Sequence, residues 1–302
     1  MRYPELNVKE IRDIITSFQH KPDAPHALAT LVRARRSSYR RAGARLLIAP
    51  DQTTVGALSG GCLEEEVALR AQEVIATGRP LLLTFDTRLR YGCNGAIDVF
   101  VEKLAPALID ALAAAQSERR ECRLATVFQN SESLGSRLLA PADDAPAGGC
   151  LQTIRPPLQL VLIGEGPDSA PLRGLSAVLG WDVREAEAAA ALPNEFDQWT
   201  AAVVKTHNYG RDYAALAKLL PLGLLYVALV GPRRRRDQLL HALHEAGVEI
   251  RSELFAPAGL DLGAESPEEI ALAIVSEIQT TLAGANAEPL RDRRAAIHLA
   301  VA

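Results

Sequence analysis

The sequence predicts an α/β protein in two parts: an N-terminal mixed α+β, cysteine-bearing domain over residues 1–150 and a C-terminal Rossmann-like, doubly wound parallel sheet over residues 151–302. Three observations carry this. A chain of 302 residues holds about two domains of ordinary size. Up to about residue 140, short strand-like runs alternate with turn residues and a few helical patterns. From Leu158 onward, uninterrupted apolar runs alternate with helices, the rhythm of a parallel sheet covered on both faces.

In the first part, Ile11, Ile14, Ile15 and Phe18 recur at helical spacing, with Asn7 as the expected cap, Glu10 as its capping-box partner, and Pro22 and Pro25 as the stop. Strands are expected over 27–32, 45–49 and 53–59, with Pro50-Asp51 as a turn. After Gly60-Gly61 a helix is expected over 63–76, stopped by Gly78 and Pro80. Strands follow over 81–85 and 96–104, then a short helix over 106–115. The stretch LATLVRARRSSYRRAGARLLIAPD at 28–51 is echoed by LATVFQNSESLGSRLLAPAD at 124–143, which suggests a duplicated hairpin whose copies pair in one sheet. Pro141, Pro146, Pro156 and Pro157, with Gly148-Gly149, make 141–157 the expected linker.

In the second part, strands are expected over 158–163, 201–205 and 224–230, and helices after 166 to Leu179, over 212–220 and over 233–246. Ser266-Pro267-Glu268-Glu269 reads as a helix start: capping serine, proline at the first position and glutamate returning the cap.

Composition narrows the function classes. The net charge of −4 argues against a nucleic-acid binder. No run approaches the roughly 20 apolar residues of a membrane span. The opening residues lack the pattern of a secretory signal, so a cytoplasmic location is expected. Cys62, Cys93, Cys122 and Cys150 are widely spaced and form no CxxC, which leaves neither a disulfide framework nor a structural zinc site.

Gly164-Glu165-Gly166 follows a strand and precedes a helix, the position of a dinucleotide fingerprint. That motif needs free backbone amides at a helix N-terminus facing a pyrophosphate. Here Glu165 and Asp168 bring carboxylates to the turn, Pro167 removes a donor, and Ser169 replaces the third glycine. The segment REAEAAAAL at 184–192 is a poor second strand. The turn therefore predicts the fold better than the cofactor, and NAD(P) is not expected to bind.

Two cysteines stand in glycine-rich settings. Cys62 follows Gly60-Gly61 at a helix start, where the dipole lowers a thiol pKa and Glu64, Glu65 and Glu66 oppose it. Cys93 lies between Gly92 and Asn94-Gly95, with Arg88 and Arg90 nearby, a setting suited to a soft metal. Cys93 is the better candidate for the reactive thiol; Cys122 and Cys150 have no such context.

In order along the chain, LATLVRARRSSYRRAGARLLI, SGGCLEEEV, YGCNGAIDVFVE, VVKTHNYGRDYAAL, YVALVGPRRRR and FAPAGLDLGAESPEEIA resemble the XdhC/CoxI family of maturation factors for molybdenum hydroxylases. The resemblance runs from about residue 27 to 278. It implies a chaperone that binds molybdenum cofactor, protects it during terminal sulfuration and hands it to an apo molybdenum hydroxylase of the xanthine, aldehyde or carbon monoxide dehydrogenase type. The implied partners are that hydroxylase, a cofactor sulfurase and a second copy of the chain in a homodimer. The implied cofactor-binding residues are Cys93, Cys62, Gly61, Gly92, His207, Arg233, Arg234, Gly164 and Gly166, with Cys93 as the molybdenum contact. The chain departs from the family pattern at Gly164-Glu165-Gly166-Pro167, at Thr206-His207-Asn208 and at Gly231-Pro232-Arg233-Arg234.

No Ser/His/Asp constellation, pair of catalytic carboxylates or metal motif emerges, so an accessory role is favoured over an enzyme. Two alternatives stand beside it. One is a nicotinamide-dependent oxidoreductase using the Gly164 turn with His207 as acid/base; the other is a family member that only docks protein partners.

Overall fold

A computed structural model describes residues 2–3, 8–36, 38–61, 63–86, 95–129 and 133–293. The chain forms two units, one ending at Pro156 and one over Pro157–Arg294. Among the described residues, no helix is long and apolar enough to cross a membrane.

The first unit contains β1 (Arg2–Tyr3), α1 (Val8–His20), β2 (Ala27–Arg36), β3 (Arg45–Ile48), β4 (Thr54–Gly56), α2 (Glu64–Thr77), β5 (Leu81–Asp86), β6 (Gly95–Lys103), α3 (Pro106–Ser117), β7 (Cys122–Val127), β8 (Gly135–Leu139) and β9 (Gly149–Ile154). One sheet has the order β4-β3-β2-β6-β5 and is antiparallel throughout. The other has the order β1-β9-β7-β8, with β1 parallel to β9. The period-2 alternation of β2 sends Ala27, Ala29 and Leu31 under Val67, Ala71 and Val74 of α2, and sends Leu28 to the other side. There Leu28 and Leu47 meet Ile11, Ile14 and Phe18 of α1, Ile109 and Leu112 of α3, and Leu124 and Ile154 of the second sheet. The β2 sheet is thus apolar on both faces, which is why its strands read as near-continuous hydrophobic runs.

Two sequence expectations are corrected in this unit, the pairing of the echoed hairpins and the linker. Glu10, expected as the capping-box partner of Asn7, is engaged over a longer range. It is buried, its Oε1 accepts from the backbone N of Arg45 at 2.9 Å, and its other oxygen pairs with Arg40. Burial raises its pKa, and the Arg40 charge works against that rise. A carboxylate taken from water needs such partners; Asn7 lies outside the described residues. The two echoed hairpins do exist as β2–β3 and β7–β8, but in different sheets. β2 is flanked by β3 and β6, and β3 by β4 and β2, so the first copy has no open edge for the second. The expected linker contains β9, which sits between β1 and β7. Its polar and proline-rich part is the turn leading into that strand.

The second unit contains β10 (Gln159–Ile163), α4 (Ser169–Leu179), β11 (Asp182–Ala186), β12 (Thr200–Val204), α5 (Tyr209–Leu219), β13 (Tyr226–Leu229), α6 (Arg233–Glu245), β14 (Leu254–Phe255) and α7 (Pro267–Ala283). The sheet is parallel throughout, in the order β11-β10-β12-β13-β14. Its β10, β12 and β13 are buried at every residue, matching their uninterrupted apolar runs. Leu172 of α4 and Ala271, Ile274 and Ile278 of α7 cover Leu160, Leu162, Val203 and Ala228 on one face. Leu216 and Leu219 of α5 and Leu239 and Leu243 of α6 cover Val161, Ile163, Val204 and Leu229 on the other. Chain order reverses between β10 and β12, which is the switch point where such sheets open a crevice at their carboxyl ends.

Of the segment expected to make a poor second strand, only Arg184, Glu185 and Ala186 belong to β11, which pairs with β10 from Gln159↔Asp182 to Ile163↔Ala186, while residues 189–191 form a 3-10 turn. An edge strand buries only part of its side chains, so Arg184 and Glu185 are tolerated there. At α7 the expected capping box is present: Ser266 Oγ accepts from Glu269 N at 3.3 Å, and Glu269 Oε2 accepts from Ser266 N at 2.9 Å.

Candidate functional site

Of the residues singled out in the first unit, Cys62, Gly92 and Cys93 lie outside the described residues, as do Arg88, Arg90 and Asn94. The elements around them are described. β2 runs antiparallel to β3 and β6, β4 antiparallel to β3, and β5 antiparallel to β6. The carboxyl ends of β2, β4 and β5 and the amino ends of β3 and β6 therefore share one end of the sheet. Asp86 pairs with Ala96 and Arg36 with Gly95, so β5 ends and β6 begins at that end. The chain leaves β4 toward Gly60-Gly61 at that same end.

Gly61 is exposed at φ +106°, a conformation that favours glycine, and a Cβ at Gly60 or Gly61 would meet nothing within 4 Å among the described residues. Among the described residues, nothing packs where those Cβ atoms would stand. The amides of this turn are organised by Glu64: Oε1 accepts from Leu58 N at 2.9 Å and Ser59 N at 2.7 Å, and Oε2 from Ser59 Oγ at 2.7 Å and Leu63 N at 3.0 Å. Partial burial pushes the Glu64 pKa up, but these hydrogen bonds outweigh it and leave the carboxyl below its ordinary value. An acid with a lowered folded pKa stabilises the fold above its unfolded pKa, and that contribution is lost as pH falls through the folded one. Glu64→Gln is therefore expected to cost about 1–3 kcal/mol at pH 7, with the gap from wild type closing as the medium is acidified below pH 4.5. Urea titrations over a pH series check this; a gap that is independent of pH overturns it.

Cys122 and Cys150 are both free and buried, and burial pushes both thiols up. A thiol held protonated is neither nucleophile nor metal ligand.

In the second unit, Gly164 and Gly166 sit at the carboxyl end of β10. Gly164 has φ +99°, and a Cβ there would stand 2.6 Å from Thr206 Cα, so the glycine lets the β10 turn close on the end of β12. A Cβ at Gly166 would stand 2.6 Å from Asp168 Oδ1. Beneath the turn lies Lys205, with its side chain fully buried. Its Nζ donates to Asp168 Oδ1 at 3.0 Å and Ser169 Oγ at 2.6 Å. In sequence, Asp168 reads only as a charge hostile to pyrophosphate, and Lys205 goes unnoticed. A signal for it exists: a lysine closing an apolar strand run, AAVVK, at the switch point.

His207 is exposed and adopts φ +54°, an uncommon conformation for a non-glycine residue. The residues around it are firmly held. Thr206 Oγ1 donates to Asp212 Oδ1 at 2.5 Å, Asn208 caps α5 through Arg211 N at 3.0 Å, and Asp212, fully buried, meets Arg235 Nη2 at 2.5 Å through its other oxygen. The arginine run thus divides. Arg235 serves Asp212, while Arg236 binds Asp237 and donates to Ala256 O at 2.9 Å. Arg233 and Arg234 are exposed on the first turn of α6, at the carboxyl edge of the sheet.

A model of the XdhC Rossmann domain matches residues 160–278, and a model of the XdhC and CoxI family matches residues 20–86. A Bacillus subtilis protein named as a probable xanthine dehydrogenase subunit is 30% identical, over 84% of this chain and 92% of that one. The Escherichia coli molybdenum cofactor insertion chaperone PaoD is 26% identical, over 83% of this chain and 81% of its own. A crystal structure from Bacillus halodurans, described as a xanthine dehydrogenase, matches with a TM-score of 0.76 at 23% identity, covering 92% of this chain and 97% of that one. At that identity the likeness speaks for the fold.

Proposed function

The chain belongs to the XdhC and CoxI family, and from that membership we propose that it is a chaperone that binds molybdenum cofactor, protects it and inserts it into a molybdenum hydroxylase of the xanthine, aldehyde or carbon monoxide dehydrogenase type. The observation that carries this reading is similarity over more than four-fifths of both chains to a protein named as an insertion chaperone for that cofactor. The cofactor is cargo here, not a resident group.

The residues present suit such cargo. It brings an anionic phosphate, an oxidisable dithiolene and a metal, and a thiolate is a soft ligand for the metal. In the first unit, Cys93 is the assigned molybdenum contact and Cys62 the second thiol, with Gly61 and Gly92 leaving room for the cargo. That no described residue would meet a Cβ at Gly60 or Gly61 supports that assignment. In the second unit, His207, Arg233 and Arg234 are the assigned contacts. Their exposure at the carboxyl edge of a doubly wound sheet supports them. Gly164 and Gly166 act there by letting Thr206 and Asp168 close up rather than by touching cargo. In this reading the chain holds and shields its cargo and catalyses no step. Its partners are the apo-hydroxylase and a cofactor sulfurase, it works as a homodimer, and it resides in the cytoplasm.

Expression in a host that makes the cofactor, followed by anaerobic purification, tests this. Molybdenum and oxidised pterin are expected in comparable, near-stoichiometric amounts on the wild type. A folded wild type that carries neither, even when offered free cofactor, overturns the reading.

A further inference from the structure

We propose that Arg33 and Arg35 form an oxyanion clamp in the first unit, a site for the phosphate monoester of the cargo or for a free oxyanion of similar size. The clamp's assignment to cargo rests on the chaperone reading; the clamp itself rests on geometry.

Both arginines lie on the part of β2 that runs beyond its pairing with β3, opposite β6 in the register Arg33↔Asp98 and Arg35↔Ala96. They converge on Asp98, which is 1% exposed: Arg33 Nη1 at 3.3 Å and Arg35 Nη2 at 2.8 Å from Oδ2, with Thr84 Oγ1 donating to Oδ1 at 2.9 Å. Arg33 is fixed further by donating Nη2 to Gln129 Oε1 at 2.8 Å and by lying 4.9 Å over the Phe128 ring. One buried carboxylate therefore holds two guanidinium groups, which leaves a positive charge in excess within the cluster.

A purely structural ion pair needs one arginine. The second stays 55% exposed, anchored by one nitrogen, and its remaining N–H groups meet no protein partner among the described residues. Such a guanidinium has its orientation set and a donor edge left over, the arrangement that grips a phosphate or carboxylate through two parallel bonds. Ordering is already complete before the ligand arrives, so little affinity is lost to it. The cluster also sits at the end of the sheet where β4 leads toward Gly60-Gly61.

The test uses the full chain and the variants Arg35→Gln, Arg35→Lys and Arg173→Gln, the last removing a surface cation paired with Glu185 in the other unit. Cofactor retention is read as pterin per chain after co-expression, and oxyanion affinity by calorimetric titration with inorganic phosphate and molybdate at low salt. Arg35→Gln is expected to weaken binding about tenfold, Arg35→Lys to fall between it and wild type because charge without the fork is kept, and Arg173→Gln to match wild type. Loss of pterin retention assigns the clamp to the cargo phosphate. Loss of phosphate or molybdate binding alone supports the clamp and assigns it to a free oxyanion. Unchanged pterin retention and unchanged oxyanion affinity in Arg35→Gln, with an unaltered melting temperature, overturn it. A wild type free of pterin that still binds phosphate through Arg35 separates failure of the chaperone reading from failure of the clamp.

Discussion

Asp168→Ala is expected to destabilise the second unit by about 3–5 kcal/mol, the range for removing one partner of a buried ion pair. The cause is what it leaves behind. Lys205 is fully buried, and its ammonium has Asp168 and Ser169 as partners. Without the carboxylate, a cation remains out of reach of water with one hydroxyl to hold it. The double variant Asp168→Ala/Lys205→Met removes both charges and is expected to recover most of the loss, because an apolar pair of similar volume carries no desolvation penalty. Urea unfolding followed by tryptophan fluorescence reports on this unit, since the chain's two tryptophans, Trp181 and Trp199, both lie within it. A single variant within about 1 kcal/mol of wild type would show that the ammonium finds water in the native state.

Cys93→Ala is expected to lower bound molybdenum at least tenfold, to background, while the chain remains folded. A thiolate ligand has no neutral substitute of equal softness, and the two described cysteines cannot stand in, being buried and held protonated. Cys62→Ala is expected to reduce retention less, since Glu64, Glu65 and Glu66 follow it after Leu63 and disfavour a thiolate. Metal and pterin analysis of both variants, purified alongside wild type without oxygen, decides the order. Loss confined to Cys62→Ala exchanges the two roles; retention in both removes the thiols from cargo binding.

The second unit is legible in the sequence because a buried parallel strand leaves an unmistakable trace: a short run of apolar residues between a turn and a helix, as in Leu160–Ile163 or Ala201–Val204. β11 leaves no such trace because it lies at the edge. What escapes are pairings over distance. Glu10 suggests a local partner three residues back, and nothing in the sequence shows that the backbone N–H of Arg45, 35 residues on, donates to its oxygen. Lys205 and Asp168 are 37 residues apart, and only the parallel register of β10 and β12 brings them together. Asp98, Arg33 and Arg35 are likewise in plain sight, yet their union depends on an antiparallel register interrupted between Leu31 and Arg33. The glycine-rich segments are visible as motifs because a glycine's reason for being there is local.

Burial of Cys122 and Cys150, at 6% and 2% exposure, has a practical corollary. The native chain carries its own alkylation blank. Two of its four thiols are screened from reagent at neutral pH, so any modification of the folded protein by a maleimide or iodoacetamide is expected to report Cys62 or Cys93, and its suppression by cargo can be followed by intact mass without altering a single residue.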